Sequence, residues 1–178
     1  MQHDAENDAW VSLGVPFDFI YSRYIISCFD NTRAVLRHCW DSLAPGGYVE
    51  IFDMQLDPRD AGEVDRGCAY VRWAEAVCRG ATAVGRDLSR STRYPDWCRE
   101  VGFVDVVAER FTIPCGTWPE DPHQKEIGLR WQRDLLSLVR GLRRFFSHSG
   151  LSLGEQEQLE ADAIRDIMDP SRRLAATA

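Results

Sequence analysis

Phe17-Asp-Phe-Ile-Tyr-Ser-Arg-Tyr-Ile-Ile26 and, further on, Tyr48-Val-Glu-Ile-Phe-Asp53 are the stretches that decide the fold. The first is a short apolar run of aromatic and β-branched side chains, bounded upstream by Gly14 and Pro16, which predicts a strand. Its near-continuous hydrophobicity predicts burial on both faces. Asp30 or Asn31 then offers an N-cap, and Val35, Leu36, Cys39, Trp40 and Leu43 recur along one helical stripe. Pro45-Gly46-Gly47 is expected to end that helix, with glycine able to take the left-handed cap geometry. Residues 48–53 form the next strand. Strand, helix and strand at this spacing make a βαβ unit, hence parallel strands and a right-handed crossover.

Working outward, residues 57–66 are charged and glycine-bearing and read as a loop. Tyr70, Val71, Trp73, Ala74, Val77, Cys78 and Ala81 predict a second amphipathic helix over about 67–84. A shorter one over Asp96–Val101 closes at Gly102, and Phe103-Val-Asp-Val-Val107 reads as a third strand. Phe111–Ile113 extends that strand or forms a hairpin arm, and Pro114–Pro119 is a turn. Leu129, Trp131, Leu135, Leu136, Leu138, Val139, Leu142, Phe145 and Phe146 line one long helix. A last helix runs from the capping-box-like Ser152-Leu-Gly-Glu155 to Met168, and the residues from Pro170 onward are expected to fray. The expectation is one α/β domain: an N-terminal loop over 1–16, an α/β core over 17–119 and a helical cap over 120–170.

Charge and cysteine usage narrow the function. The chain of 178 residues carries a net charge of −7, which argues against a nucleic-acid partner, because phosphate backbones demand a positive face. Lys125 is the only lysine, so basic chemistry rests on arginine. Six cysteines show no Cys-x-x-Cys and no Cys/His spacing of the zinc type, and His3, His38, His123 and His148 share no spacing, so no metal is expected. The N-terminal Met-Gln-His-Asp-Ala-Glu-Asn-Asp-Ala-Trp10 is acidic and polar, unlike a signal peptide, and no apolar run approaches the roughly 20 residues needed to span a bilayer. These features predict a soluble, cytoplasmic protein with free thiols and no membrane partner. Gly-x-Ser-x-Gly, His-Glu-x-x-His and P-loop patterns are all missing, which leaves hydrolase, zincin and nucleotide-phosphate readings without support.

Three segments together carry a recognisable pattern: Phe17-Asp-Phe-Ile-Tyr-Ser-Arg23, then Leu43-Ala-Pro-Gly-Gly-Tyr-Val-Glu50, then Gly102-Phe-Val-Asp-Val followed by Ile113-Pro-Cys-Gly-Thr-Trp-Pro119. With Glu126-Ile-Gly128, this resembles the class I S-adenosylmethionine (SAM)-dependent methyltransferases, specifically the fungal LaeA-like group, over residues 4 to about 168. The resemblance implies a sheet in the order 3-2-1-4-5-7-6, with residues 17–22 as strand four, 48–53 as strand five and 103–107 as strand six. It places Asp4-Ala5-Glu6 in the acidic loop near the adenine. Strand one, its glycine-rich loop and the acidic end of strand two have no counterpart here, and no Gly-x-Gly occurs anywhere in the sequence. The family's last strand is expected to be missing too. The fold expected is therefore a partial Rossmann-like sheet of about three to four strands. A bare strand-four edge would leave buried backbone groups unpaired at about 1–3 kcal/mol each, so either a homodimer or a sheet rebuilt with Phe111–Ile113 is expected.

Tyr21 and Arg23 fall at the carboxyl end of strand four, the side where open α/β sheets bind ligands, and read as hydrogen-bond donors facing a pocket. The resemblance implies a histidine where Tyr21 stands, which puts an inherited role there in doubt. Glu50 and Asp53 end strand five as candidate bases or acceptors; their alternation puts them on opposite faces, and ion pairing with Arg59 or Arg66 is the plainer reading. Tyr24, Tyr70, Trp73 and Trp118 are candidate walls of an apolar substrate pocket, Trp118 best suited to its rim; a shortened core would use the same aromatics as filler. The leading expectation is a cofactor-free enzyme on a methyltransferase-derived scaffold, a cyclase or isomerase of natural-product biosynthesis acting on an apolar small molecule. The alternatives are a methyltransferase fragment completed by a partner, and a non-catalytic interaction subunit.

Overall fold

The structure is a computed structural model that describes residues 4–7, 10, 16–56 and 67–178. The chain is mixed α/β and divides into two compact units, Met1–Asp53 with Arg90–Glu109, and Met54–Ser89 with Arg110–Ala178. The loop expected over 57–66 lies outside the described residues, as do Arg59, Arg66 and His3.

In the first unit, β1 (Phe17–Arg23) and β2 (Leu43–Phe52) pair in parallel around α1 (Thr32–Ser42), as the βαβ pattern requires. Asn31 is the N-cap of α1, its side chain accepting the Ala34 N–H at 3.2 Å. A second cap comes from far upstream: the Glu6 carboxylate accepts the backbone N–H groups of Asp30 (3.1 Å) and Asn31. A carboxylate at a helix N-terminus meets both orphan amides and the positive end of the dipole. The helix ends at Ser42, before Pro45-Gly46-Gly47. Leu43 is already extended and paired with Phe17, so the glycines belong to β2, where Gly46 (φ +83°) falls in the stretch over which the register is irregular. α3 (Tyr94–Val101) follows a 3-10 turn at Arg90–Arg93 and closes on Gly102 at φ +128°.

One face of the β1–β2 pair packs on Leu36, Tyr94, Trp97 and Cys98 through Ile51, with Ile25, just past the end of β1, in the same cluster. The other face does not bury as expected. Phe19, Tyr21 and Tyr48 share it and stay 53%, 50% and 73% exposed, because nothing among the described residues covers them. Residues 103–107 also depart from expectation and form no strand. Phe103 and Val106 pack against the core, Asp105 turns into the left-handed region at φ +53°, and Val104 and Val107 remain 82% and 79% exposed. A left-handed residue cannot continue an extended ladder.

The second unit is helical. α2 (Ala69–Ala83), α4 (Pro122–Gly141), α5 (Arg143–Phe146) and α6 (Leu153–Met168) enclose Trp73, Val77, Leu135, Val139, Phe146, Ala163 and Ile167. The long helix expected through Phe146 breaks at Leu142 into α4 and α5. Gly80 lets α2 touch α5, since a Cβ there would lie 1.8 Å from the Phe145 carbonyl oxygen. The capping box at Ser152/Glu155 forms as the sequence predicts. Asp166 receives the Ala69 (2.5 Å) and Tyr70 (3.2 Å) amides, capping α2, and pairs with Arg172 at 3.1 Å.

The C-terminal tail does not fray. β4 (Ala175–Thr177) pairs antiparallel with β3 (Thr112–Pro114), and Phe111 and Ala178 exchange hydrogen bonds of 2.8 and 2.9 Å. Gln55 donates to the Thr177 carbonyl at 2.9 Å from the opposite side. The tail therefore lies between Gln55 and β3. Phe111–Ile113 does not rebuild the β1 edge either, because β3 takes β4 as its partner. Among the described residues two two-stranded sheets thus replace the single sheet of three to four strands. A three-residue strand completes its ladder with so few bonds that chain position alone does not announce it.

Candidate functional site

Five of the expected site residues lie in the first unit. Tyr21 stacks on Phe19 (ring centroids 6.4 Å apart) and sits in register with Glu50, both exposed on the bare face. Arg23 is exposed, its guanidinium carbon 6.0 Å from the Tyr24 ring centroid. Tyr24 adopts φ +55°, an uncommon conformation for a bulky residue, held by its N–H to the Phe52 carbonyl (3.0 Å) and by an edge-on contact with the Phe52 ring at 5.9 Å. Tyr21, Arg23, Tyr24 and Glu50 therefore form one open aromatic patch with a cation and an anion in it.

Asp53 is elsewhere in chemical terms. It is buried and accepts the Tyr94 hydroxyl at 2.9 Å. Burial first, then the Asp53 charge and hydrogen bond, push the Tyr94 hydroxyl well above the ordinary tyrosine value, so it stays a donor at any physiological pH. Nearby, the buried Arg90 donates to the Phe29 carbonyl (2.6 Å) and to Thr32 Oγ1 (3.1 Å), fixing the segment between β1 and α1. The sequence reading missed Tyr94, Arg90 and Thr32. The available signal was Tyr94 itself, a large aromatic immediately before Pro95 at a helix start.

The remaining three belong to the second unit. Trp73 is completely buried, stacked with Tyr70 at 6.1 Å and tilted on Phe146 at 6.5 Å. Burial, with the Cys115, Cys68 and Cys78 thiols adding to it, pushes the Tyr70 hydroxyl above its usual range. Trp118 is half-buried and donates its indole N–H to the Leu174 carbonyl at 3.0 Å. That bond belongs to a clasp that explains the Gly116-Thr-Trp118 and Gly128 spacing. The Gly116 amide donates to the Gly128 carbonyl at 2.9 Å, and a Cβ on Gly128 would stand 2.0 Å from the Gly116 oxygen. An open groove of about 450 Å³ lined by Cys78, Thr82 and Gly85–Ser89 contains none of the expected residues. Among the described residues no cluster of His, Cys, Asp or Glu has metal-binding geometry, and no helix is long and apolar enough to cross a membrane.

No protein-family model matches the chain. Similarity to curated proteins is clear. Methyltransferase pytC of Aspergillus terreus is 30% identical over 143 residues, covering 80% of this chain and 43% of the relative. Secondary metabolism regulator laeA of Gibberella zeae is 31% identical over 137 residues (73% and 42%). Probable methyltransferase tdiE of Emericella nidulans is 27% identical over 130 residues (72% and 39%). The chain is methyltransferase-like. More narrowly, it is a relative of fungal methyltransferases and of LaeA-type regulators of secondary metabolism, and it spans less than half the length of these relatives.

Proposed function

We propose that the chain supplies the substrate-side half of a methyltransferase-type site of fungal secondary metabolism, completed by polypeptide that covers the β1–β2 face and carries the SAM-binding loop. The uncovered aromatic face is the observation that carries this reading: Phe19, Tyr21 and Tyr48 are large apolar groups left in water on a strand pair whose other face is packed. That the relatives are more than twice as long as the matched stretch supports it. Calorimetry with SAM tests it, using the chain alone and the chain mixed with the unmatched part of the Aspergillus terreus relative. Binding in the mixture only is the expected result, lost with Tyr48→Asp; micromolar binding by the chain alone, or a stable mixture that ignores SAM, sinks it.

A second reading is favoured by the side-by-side placement of Tyr21, Arg23 and Glu50 in a sequence without a Gly-x-Gly. Here the scaffold acts without cofactor as a cyclase or isomerase, Tyr21 and Arg23 polarising a carbonyl of an apolar substrate held in a reactive conformation. Its mark is conversion of a pathway intermediate by the chain alone, lost in Tyr21→Phe and Arg23→Gln. A homodimer through the β1 edge fits this reading, and light scattering decides whether it exists. All six cysteines are free thiols, which supports a cytoplasmic setting.

A further inference from the structure

Three rows of side chains cross the bare face of the first unit: Phe19 with Tyr48, Tyr21 with Glu50, and Arg23 with Phe52. The strands are parallel, so the last two rows lie toward their carboxyl ends, where open α/β sheets receive ligands. Arg23 stands one row beyond Glu50 on the neighbouring strand, which sets their Cβ atoms about 8 Å apart. Both side chains are exposed, and neither makes an ion pair or hydrogen bond with a described residue. On the helices of the same unit Arg33 closes on Glu100 at 3.1 Å and Arg99 on Asp96 at 2.9 Å. Arg23 instead lies over the Tyr24 ring, 6.0 Å from its centroid, and Tyr24 is held at φ +55°. Strained backbone of this kind gathers at ligand sites, where the surrounding structure enforces it.

We propose that this patch binds the zwitterionic end of an α-amino acid whose side chain is apolar or aromatic. The inference rests on the patch being the substrate side of the site. An α-amino acid carries its ammonium and its carboxylate on one carbon, so it can meet a separated cation and anion together. Its carboxylate takes the paired N–H groups of the Arg23 guanidinium, and its ammonium donates to the Glu50 carboxylate. Tyr21 lies between the two charges and stacks on Phe19, so the ligand's side chain runs over those rings toward Tyr48 and covers apolar surface now in water. The two opposite charges also select the class of ligand. A simple acid would leave Glu50 against an apolar group, and a simple amine would do the same to Arg23.

The test is saturation-transfer NMR on the full chain with three probes: L-phenylalanine, hydrocinnamate, which lacks the ammonium, and phenethylamine, which lacks the carboxylate. L-phenylalanine is expected to bind saturably, and at least about fivefold more tightly than either analogue. Glu50→Gln is expected to abolish its advantage over hydrocinnamate and to keep that over phenethylamine; Arg23→Gln is expected to do the reverse. Both positions are solvent-exposed, so the variants keep their fold, as circular dichroism will confirm. No binding of L-phenylalanine, equal binding of all three probes, or an unchanged preference in both variants overturns the proposal. SAM takes no part in these titrations. Amino-acid binding that fails while the chain mixed with the Aspergillus terreus polypeptide still takes up SAM therefore removes this inference alone. Amino-acid binding that holds while SAM uptake fails supports the site and removes the methyltransferase reading.

Discussion

The two units differ in how completely they bury what they build. The second closes around Trp73, with aromatic, aliphatic and glycine contacts along the buried face of α2 and a carboxylate on its first amides. The first packs one side of a strand pair and leaves the other, with three large rings, in water. Hydrophobic burial and close packing supply most of a domain's stability, so the second unit is expected to be the stable body of this chain and the first the part that gains from being covered.

Substitutions can break that contrast. Trp73→Ala, which empties the centre of the second unit, is expected to cost about 3–5 kcal/mol in denaturant unfolding followed by far-ultraviolet circular dichroism. Gly80→Ala forces a methyl into the Phe145 carbonyl and is expected to cost about 3 kcal/mol, with α2 and α5 moving apart. Asp166→Ala uncaps α2 and removes the ion pair to Arg172, for about 1–3 kcal/mol. Tyr21→Ser on the bare face should change the stability of the chain by no more than about 0.5 kcal/mol. A loss there as large as that of Trp73→Ala would mean that the face is already covered and that the contrast between units is false.

The smallest effect is one of pH. Hydrogen bonds from the Ser152 side chain and backbone hold the Glu155 carboxyl below its ordinary 4.5. A depressed folded value means the capping contribution is complete at neutral pH and fades as pH falls through that lowered value. Amide exchange at the start of α6 should therefore quicken in mild acid, and the pH dependence should flatten in Glu155→Gln.

What could be read in the sequence was whatever a few neighbouring residues decide. The βαβ unit, Asn31 as a cap, the close of α3 at Gly102 and the Ser152/Glu155 box all follow from local pattern, and the structure has them. The lost items depend on residues distant in the chain. β4 exists because β3 and Gln55 lie on either side of three small residues that carry no strand signal of their own. Asp53 read as a candidate base or an ion-pair partner of Arg59 or Arg66 because nothing near it in sequence names Tyr94. The bare face was misjudged for the opposite reason: a near-continuous apolar run states that both sides seek cover, not whether cover arrives. The motif at 114–119 was visible but its use was not, since only the approach of Gly128 shows that it holds the chain together.

The tail has one more implication. Thr177 takes a hydrogen bond from Gln55 while its strand pairs with Thr112–Pro114, so the final residues work like the tongue of a buckle, holding two straps that are far apart in sequence. Clipping the last four residues would open both at once, and protease sensitivity should then appear together near residue 55 and residue 112.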